Sequence, residues 1–118
     1  MDRWTDKELS LRLFGAFQAR LKDGSDLKIT SKKLKALLAL LATAPDGKRS
    51  RVYLQSMLWP NSYDAAHASN SLRQCLTVLR RTLGETHKLV MNESDQSCVW
   101  MRLDRVAMVG SPADGAFL

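Results

Sequence analysis

The segment from Ser69 to Gly84 has the hydrophobic spacing of one face of an α-helix. Its apolar stripe consists of Leu72, Cys75, Leu76, Leu79 and Leu83. The opposite face is polar and basic, with Asn70, Arg73, Gln74, Thr77, Arg80 and Arg81, and the segment has no acidic residue. A face that is merely solvated usually mixes charges, because Glu–Lys pairs four residues apart stabilise exposed helices. The missing carboxylates therefore favour an anionic partner over simple solvation.

The N-terminal third of the chain has the alternating pattern of β-strands. Apolar and polar residues alternate over Leu9–Gly15 and again over Ala16–Lys22. The polar turn 23–26 separates them from the short apolar segment Leu27–Ile29. This spacing predicts a three-stranded antiparallel sheet.

Three helices are predicted between this sheet and the C-terminal third. Ser31 is a side-chain cap for a helix over Lys32–Thr43, which contains the most apolar part of the chain. Ser50 caps a second helix over Arg51–Leu58, and Trp59-Pro60 ends it. The third helix opens near Asp64 and ends at Gly84.

A hairpin and a tail follow the third helix. The segments Lys88–Met91 and Ser97–Leu103 are apolar enough for two strands, and the polar turn Asn92–Gln96 joins them. The sequence thus predicts one domain over residues 1–109. Residues 110–118 contain two glycines and a proline, which indicates a linker to a C-terminal regulatory domain outside this sequence.

Charge is concentrated in the middle of the chain. The formal net charge is +6, and residues 31–88 carry ten basic and three acidic residues, a balance of +7. Such a basic centre favours a nucleic-acid duplex. A membrane surface is the weaker alternative, because the basic face of the third helix lacks large apolar residues.

Other classes of function are excluded by what the sequence lacks. The longest apolar run, Ala36–Ala42, is too short to span a bilayer, and the N-terminus lacks an export signal, so a cytoplasmic protein is predicted. The two cysteines have no metal-ligand spacing, and the sequence predicts no metal and no cofactor. No phosphate loop or hydrolase motif is present, which predicts that the protein is not an enzyme.

The order of elements is that of a winged helix-turn-helix domain: an N-terminal antiparallel sheet, three helices and a C-terminal β-hairpin wing, an α+β fold. Four motifs in this order resemble the OmpR/PhoB-type DNA-binding domain: Arg51–Leu54 (RVYL), Leu58–Pro60 (LWP), Ser71–Gln74 (SLRQ) and Leu79–Gly84 (LRRTLG). The resemblance covers about residues 9–109. It is closest to the N-terminal domain of SARP-type, BTAD-associated transcriptional regulators.

The resemblance implies a role for each part of the domain. The third helix, over about residues 65–84, would lie in the major groove of double-stranded DNA, with Arg73, Gln74 and Thr77 at base edges. Asn70, Arg80 and Arg81 would contact phosphates or base edges. The loop Pro60–Asp64 would contact RNA polymerase, the wing would reach the minor groove, and a weak or DNA-induced homodimer would form.

The predicted wing departs from the usual pattern of the family. Its turn contains Glu93 and Asp95, and an acidic tip repels phosphate. We therefore expect the third helix, together with Lys88 and Arg51, to supply most of the binding.

Two functions remain open from the sequence. The first is sequence-specific DNA binding as the DNA-binding domain of a bacterial transcriptional regulator. The alternative is a protein-interaction module on the same scaffold, which would bind RNA polymerase or a partner domain and little DNA. The acidic wing and the apolar Met1 and Trp4 favour the alternative, whereas the acid-free helix favours the first.

Overall fold

The computed structural model describes residues 7–13, 15–61 and 64–109. In chain order the elements are β1 (Leu9–Arg12), β2 (Gln18–Leu21), β3 (Asp26–Leu27), α1 (Lys32–Ala42), β4 (Lys48–Ser50), α2 (Arg51–Leu58), α3 (Ala65–Leu83), α4 (His87–Val90), β5 (Met91–Asn92), β6 (Cys98–Met101) and β7 (Val106–Val109). Short 3-10 turns lie at Gly84–Thr86 and Leu103–Arg105. The predicted α+β class is confirmed.

The three predicted helices form where their capping residues place them. Ser31 Oγ accepts a hydrogen bond from Leu34 N at 3.2 Å, and Ser50 Oγ accepts one from Tyr53 N at 3.0 Å. The Asp64 side chain accepts from Ala66 N at 2.9 Å at the start of α3. These oxygens satisfy backbone donors that have no partner within the first turn of a helix.

The N-terminal sheet has one strand more than the sequence predicts. Its strand order is β3-β2-β1-β7, with β1–β2 and β2–β3 antiparallel and β1–β7 parallel. The predicted three-stranded antiparallel arrangement is confirmed for β1 to β3, whereas the parallel strand β7 was not predicted. Four residues of β7 carry too little periodicity to reveal a partner strand at the other end of the chain.

The second sheet contains the predicted hairpin in a shorter form. Its order is β4-β6-β5, and all its pairs are antiparallel. β4 was not predicted, and the segment predicted as a strand over Lys88–Met91 is the helical turn α4 up to Val90. The backbone of α4 continues directly from the 3-10 turn Gly84–Thr86. Val90 and Met91 are both buried. Consecutive burial does not fit the alternating faces of a strand.

One hydrophobic core joins both sheets and the helices. Leu9 and Leu11 of β1, Leu37 and Leu41 of α1, and Val99 of β6 are fully buried in it. The apolar stripe of α3 is confirmed, since Leu72, Leu76, Leu79 and Leu83 are each at most 2% exposed. Cys75 at the edge of this stripe is partly buried, and burial raises the pKa of its thiol.

An ion pair joins the two ends of the described chain. Arg105 Nη1 donates a hydrogen bond to Glu8 Oε1 at 2.7 Å, beside the parallel pair β1–β7. The guanidinium holds the pKa of the Glu8 carboxyl below its usual value. The predicted linker 110–118 and the apolar N-terminal residues Met1 and Trp4 lie outside the described residues. Within those residues, no helix combines the length and the apolar character that crossing a bilayer requires.

Gly47 provides a test of how tightly β4 and β6 are joined. Its φ is +75°, and a Cβ there would lie 2.1 Å from the carbonyl oxygen of Met101. We expect Gly47→Ala to lower the free energy of unfolding by at least about 2 kcal/mol, because backbone strain and a backbone clash add. Gly24→Ala is the control: its φ is +92° with nothing within 4 Å, so only the strain of about 1–2 kcal/mol remains. Urea denaturation measures both, and equal losses would contradict the expectation.

Candidate nucleic-acid interface

The outer face of α3 presents the residues that the sequence predicts for it. Asn70, Arg73, Gln74 and Arg81 are exposed, and Thr77 is partly buried. A helix of this length extends about 28 Å. The buried stripe lies on the opposite side, so Asn70, Arg73, Gln74 and Arg81 are open to a partner.

Arg73 and Arg81 are the arginines of this face that carry free charge. Neither guanidinium has a hydrogen bond or an ion pair with any residue that the structure describes. Each guanidinium has five N–H donors, which suit the oxygen and nitrogen acceptors of guanine and phosphate. These two side chains therefore dominate the electrostatic attraction of α3 for an anion.

Thr77 is more restricted than the helical pattern indicates. Its hydroxyl donates a hydrogen bond to the Arg73 backbone oxygen at 3.0 Å. The hydroxyl proton is thereby used inside the helix. An external partner would meet the Thr77 oxygen as an acceptor, or the methyl group.

Arg80 is paired with the turn between β5 and β6. Its Nη2 donates to Glu93 Oε1 at 2.8 Å, and His87 Nε2 donates to Glu93 Oε2 at 2.7 Å. The Glu93 side chain is only 11% exposed, whereas that of Arg80 is 55% exposed. That the turn repels phosphate stays a prediction, but the Glu93 carboxylate is paired and faces the helices.

Arg51 also holds this turn. It donates from Nη2 to the Glu93 backbone oxygen at 2.8 Å and from Nε to the Asp95 backbone oxygen at 3.2 Å. In addition, Arg51 N donates to Ser97 O at 2.7 Å. A contact of Arg51 with an external anion stays a prediction, but two nitrogens of its guanidinium are already bound to carbonyls of the turn.

The turn is further shaped by its own side chains. Asn92 Oδ1 accepts from Ser94 N at 3.0 Å, and Asp95 Oδ1 accepts from Ser97 N at 2.7 Å. Side-chain oxygens that accept from a backbone N–H two residues later are typical of tight turns. Asp95 remains exposed, so it is the carboxylate of this turn that still faces solvent.

Lys88 lies outside the face formed by α3. It belongs to α4, and its side chain is 77% exposed, with Nζ 3.2 Å from Glu85 Oε2. An exposed pair of this kind contributes about 0.2–0.5 kcal/mol and is easily exchanged for another anion. Lys88 is therefore accessible, although the structure does not place it beside Arg73 or Gln74.

A groove of about 550 Å³ separates α2, α3 and the β5–β6 turn. Among the residues that line it are Ser50, Arg51, Ser69, Arg73, Arg80, Gln96 and Ser97. The inward orientation of Glu93 was not predicted from the sequence. No local pattern reveals this, because Glu93 contacts Arg80 of α3 only through the register of the hairpin.

The loop predicted to contact RNA polymerase is described in part. Pro60 and Asn61 are exposed, Asp64 caps α3, and residues 62 and 63 lie outside the described residues. On the neighbouring α2, Val52 and Met57 are 74% and 52% exposed. Across the described ranges, no group of His, Cys, Asp and Glu has the arrangement of a metal site.

Comparison with known proteins identifies no family for this chain. No family model, no curated protein and no solved structure matches it. The likeness of its motifs to OmpR/PhoB-type domains therefore remains a prediction, and function has to be inferred from the geometry of α3 and its surroundings.

The effect of substitution on stability should differ between Arg51, which is bound to the turn, and Arg73, which is exposed and unpaired. We expect Arg51→Ala to lower the free energy of unfolding by about 1–3 kcal/mol, because two carbonyls of the turn, one of them partly buried, lose a charged donor. The backbone amides of residues 93–97 should exchange hydrogen faster. Arg73→Ala, which removes an unpaired side chain, should stay within about 0.5 kcal/mol. Equal stability of the two variants in denaturant titration would contradict the structural role of Arg51.

Proposed function

We propose that the chain binds double-stranded DNA sequence-specifically, with α3 in the major groove, as the DNA-binding domain of a bacterial transcriptional regulator. The observation that carries this proposal is the acid-free outer face of α3, on which unpaired Arg73 and Arg81 accompany exposed Asn70 and Gln74. In this reading the fold is a winged helix-turn-helix, and β5, β6 and their turn form its wing. Such a regulator would act in the cytoplasm.

The dimensions of α3 support this proposal. The major groove of B-DNA is about 12 Å wide and admits an α-helix. The helix has a diameter of about 10–12 Å with its side chains. The buried residues of α3 form one narrow stripe, and the exposed residues on the opposite face are available to the groove.

The chemistry of the face supports a division of roles. Arg73 and Gln74 suit base edges, because Arg makes paired hydrogen bonds to guanine and Gln does so to adenine. Thr77 suits a thymine methyl group, since its hydroxyl proton is already used. Asn70 and Arg81 at the two ends of the face suit phosphates, and Lys88 is a further phosphate contact on α4.

A second candidate function is binding of a protein partner. It is favoured by the exposed apolar side chains Val52 and Met57 on α2, next to exposed Pro60. An activator bound to DNA would also use such a surface for RNA polymerase, so the two functions are compatible. A module that binds protein alone would leave Arg73 and Arg81 without a purpose. A weak homodimer that forms on DNA stays a prediction from the resemblance.

The proposal is tested by selecting bound duplexes from a random DNA pool and measuring affinity for the selected sequence across a salt series. We expect Arg81→Ala to reduce the slope of log affinity against log salt by about 0.9, the contribution of one phosphate contact. Arg73→Ala should weaken discrimination of one base pair by about 1–3 kcal/mol.

The matched control is Lys22→Ala, which removes one positive charge from the turn between β2 and β3. It should leave the affinity for the selected duplex nearly unchanged. Failure to enrich any sequence, or equal effects of Lys22→Ala and Arg73→Ala, would refute sequence-specific binding through α3. Retention of a polymerase subunit without retention on DNA would favour the second function.

A further inference from the structure

The β5–β6 turn carries a carboxylate that reaches α3 without facing solvent. Both oxygens of Glu93 are engaged, one by Arg80 and the other by His87, at 2.8 and 2.7 Å. Its backbone oxygen accepts from Arg51. Glu93 is thus fixed at its backbone and at both carboxylate oxygens. Its carboxylate therefore holds the Arg80 guanidinium in one position.

The Arg80 side chain is held by Glu93 but remains exposed to solvent. One terminal nitrogen contacts Glu93, and more than half of the side chain remains exposed at the edge of α3. A guanidinium has further N–H donors in the same plane, and these remain available to a second acceptor. An unrestrained arginine would lose side-chain entropy when it bound, and an arginine held by a carboxylate has already lost most of it.

The same contact changes the charge that Arg80 presents. A guanidinium and a carboxylate in contact are close to neutral for any charge beyond about 8–10 Å at physiological salt. Attraction to phosphates along any DNA sequence depends on free cations. Arg80 therefore differs from Arg73 and Arg81, which have no partner among the described residues.

We propose that Glu93 is a positioning residue that turns Arg80 into a selectivity-determining contact of α3 rather than a general phosphate contact. This inference rests on the proposed DNA binding. Glu93 itself does not contact DNA; it fixes the guanidinium so that its remaining donors meet one arrangement of acceptors. A DNA sequence that presents a guanine at this place gains affinity from Arg80. Other sequences gain little, because the positive charge of Arg80 is already neutralised by Glu93.

The experiment uses the whole chain and measures affinity for two duplexes of equal length, the selected sequence and a scrambled one. The ratio of the two affinities is the selectivity. We expect Glu93→Ala to lower this ratio about three- to tenfold. Affinity for the scrambled duplex should rise, and its salt slope should steepen by up to about 0.9, because Arg80 becomes a free cation.

Two further variants separate position from charge. Glu93→Gln loses the same charge but keeps an acceptor for Arg80, so it should retain most of the selectivity. Asp95→Asn removes the exposed carboxylate of the same turn and keeps the acceptor for Ser97 N. It should raise both affinities by the same factor. If Glu93→Gln lost as much selectivity as Glu93→Ala, charge alone would be responsible and the positioning role would be refuted.

A double-mutant cycle with Arg80→Ala decides whether Glu93 acts through Arg80. In the Arg80→Ala background, Glu93→Ala should leave the selectivity unchanged. An undiminished effect there would mean that Glu93 acts only by supporting the turn, which overturns the inference. Wild-type protein that binds no duplex would refute the proposed function and this inference together, whereas selective binding without coupling refutes the inference alone. Thermal denaturation of each variant reports whether it is folded.

Discussion

The burial of the leucine stripe of α3 is the constraint on which the rest of the structure depends. Each of its leucines contributes about 1.5–3 kcal/mol when it leaves water. Together, Leu72, Leu76, Leu79 and Leu83 hold α3 in the common core with both sheets. Rotation of α3 about its axis would expose this stripe. The orientation of the polar face is therefore set by apolar packing, and Arg73 and Gln74 need no partner of their own to face outward.

The placement of the β5–β6 turn follows from a second, polar constraint. A largely buried carboxylate is costly unless charged or hydrogen-bonded partners surround it. Glu93 meets this requirement through Arg80 and His87, each of which contacts one of its carboxylate oxygens. The backbone carbonyls of Glu93 and Asp95 in the turn likewise accept hydrogen bonds from the Arg51 side chain. Contacts from Arg51 of α2, Arg80 of α3 and His87 of α4 thus fix the turn against the helices.

How far the sequence predicts this protein depends on whether a feature is local. The bounds of α3 are predictable, because Asp64, the leucine spacing and Gly84 all lie within the segment itself. β4 and β7 are not, since three or four residues become a strand only through their partners. The candidate interface on α3 likewise has features that depend on local sequence and features that depend on distant residues. The exposure of Arg73 follows from the helical period, whereas the partner of Arg80 is thirteen residues away and depends on the hairpin register.

Under the proposed function, the pairing of charges bears directly on discrimination between DNA sequences. Binding to any sequence grows with the number of free cations at the interface, while preference for one sequence grows with the number of fixed base contacts. Arg80 has a carboxylate partner, so the unpaired arginines of α3 are Arg73 and Arg81. Outside α3, Lys88 is paired with Glu85, and Arg51 is bound to the turn. General attraction is thereby weakened, but the donors that read base edges remain. Such a domain would bind all DNA sequences more weakly but would have a larger ratio of specific to non-specific affinity. This ratio decides which site is occupied when many sequences compete.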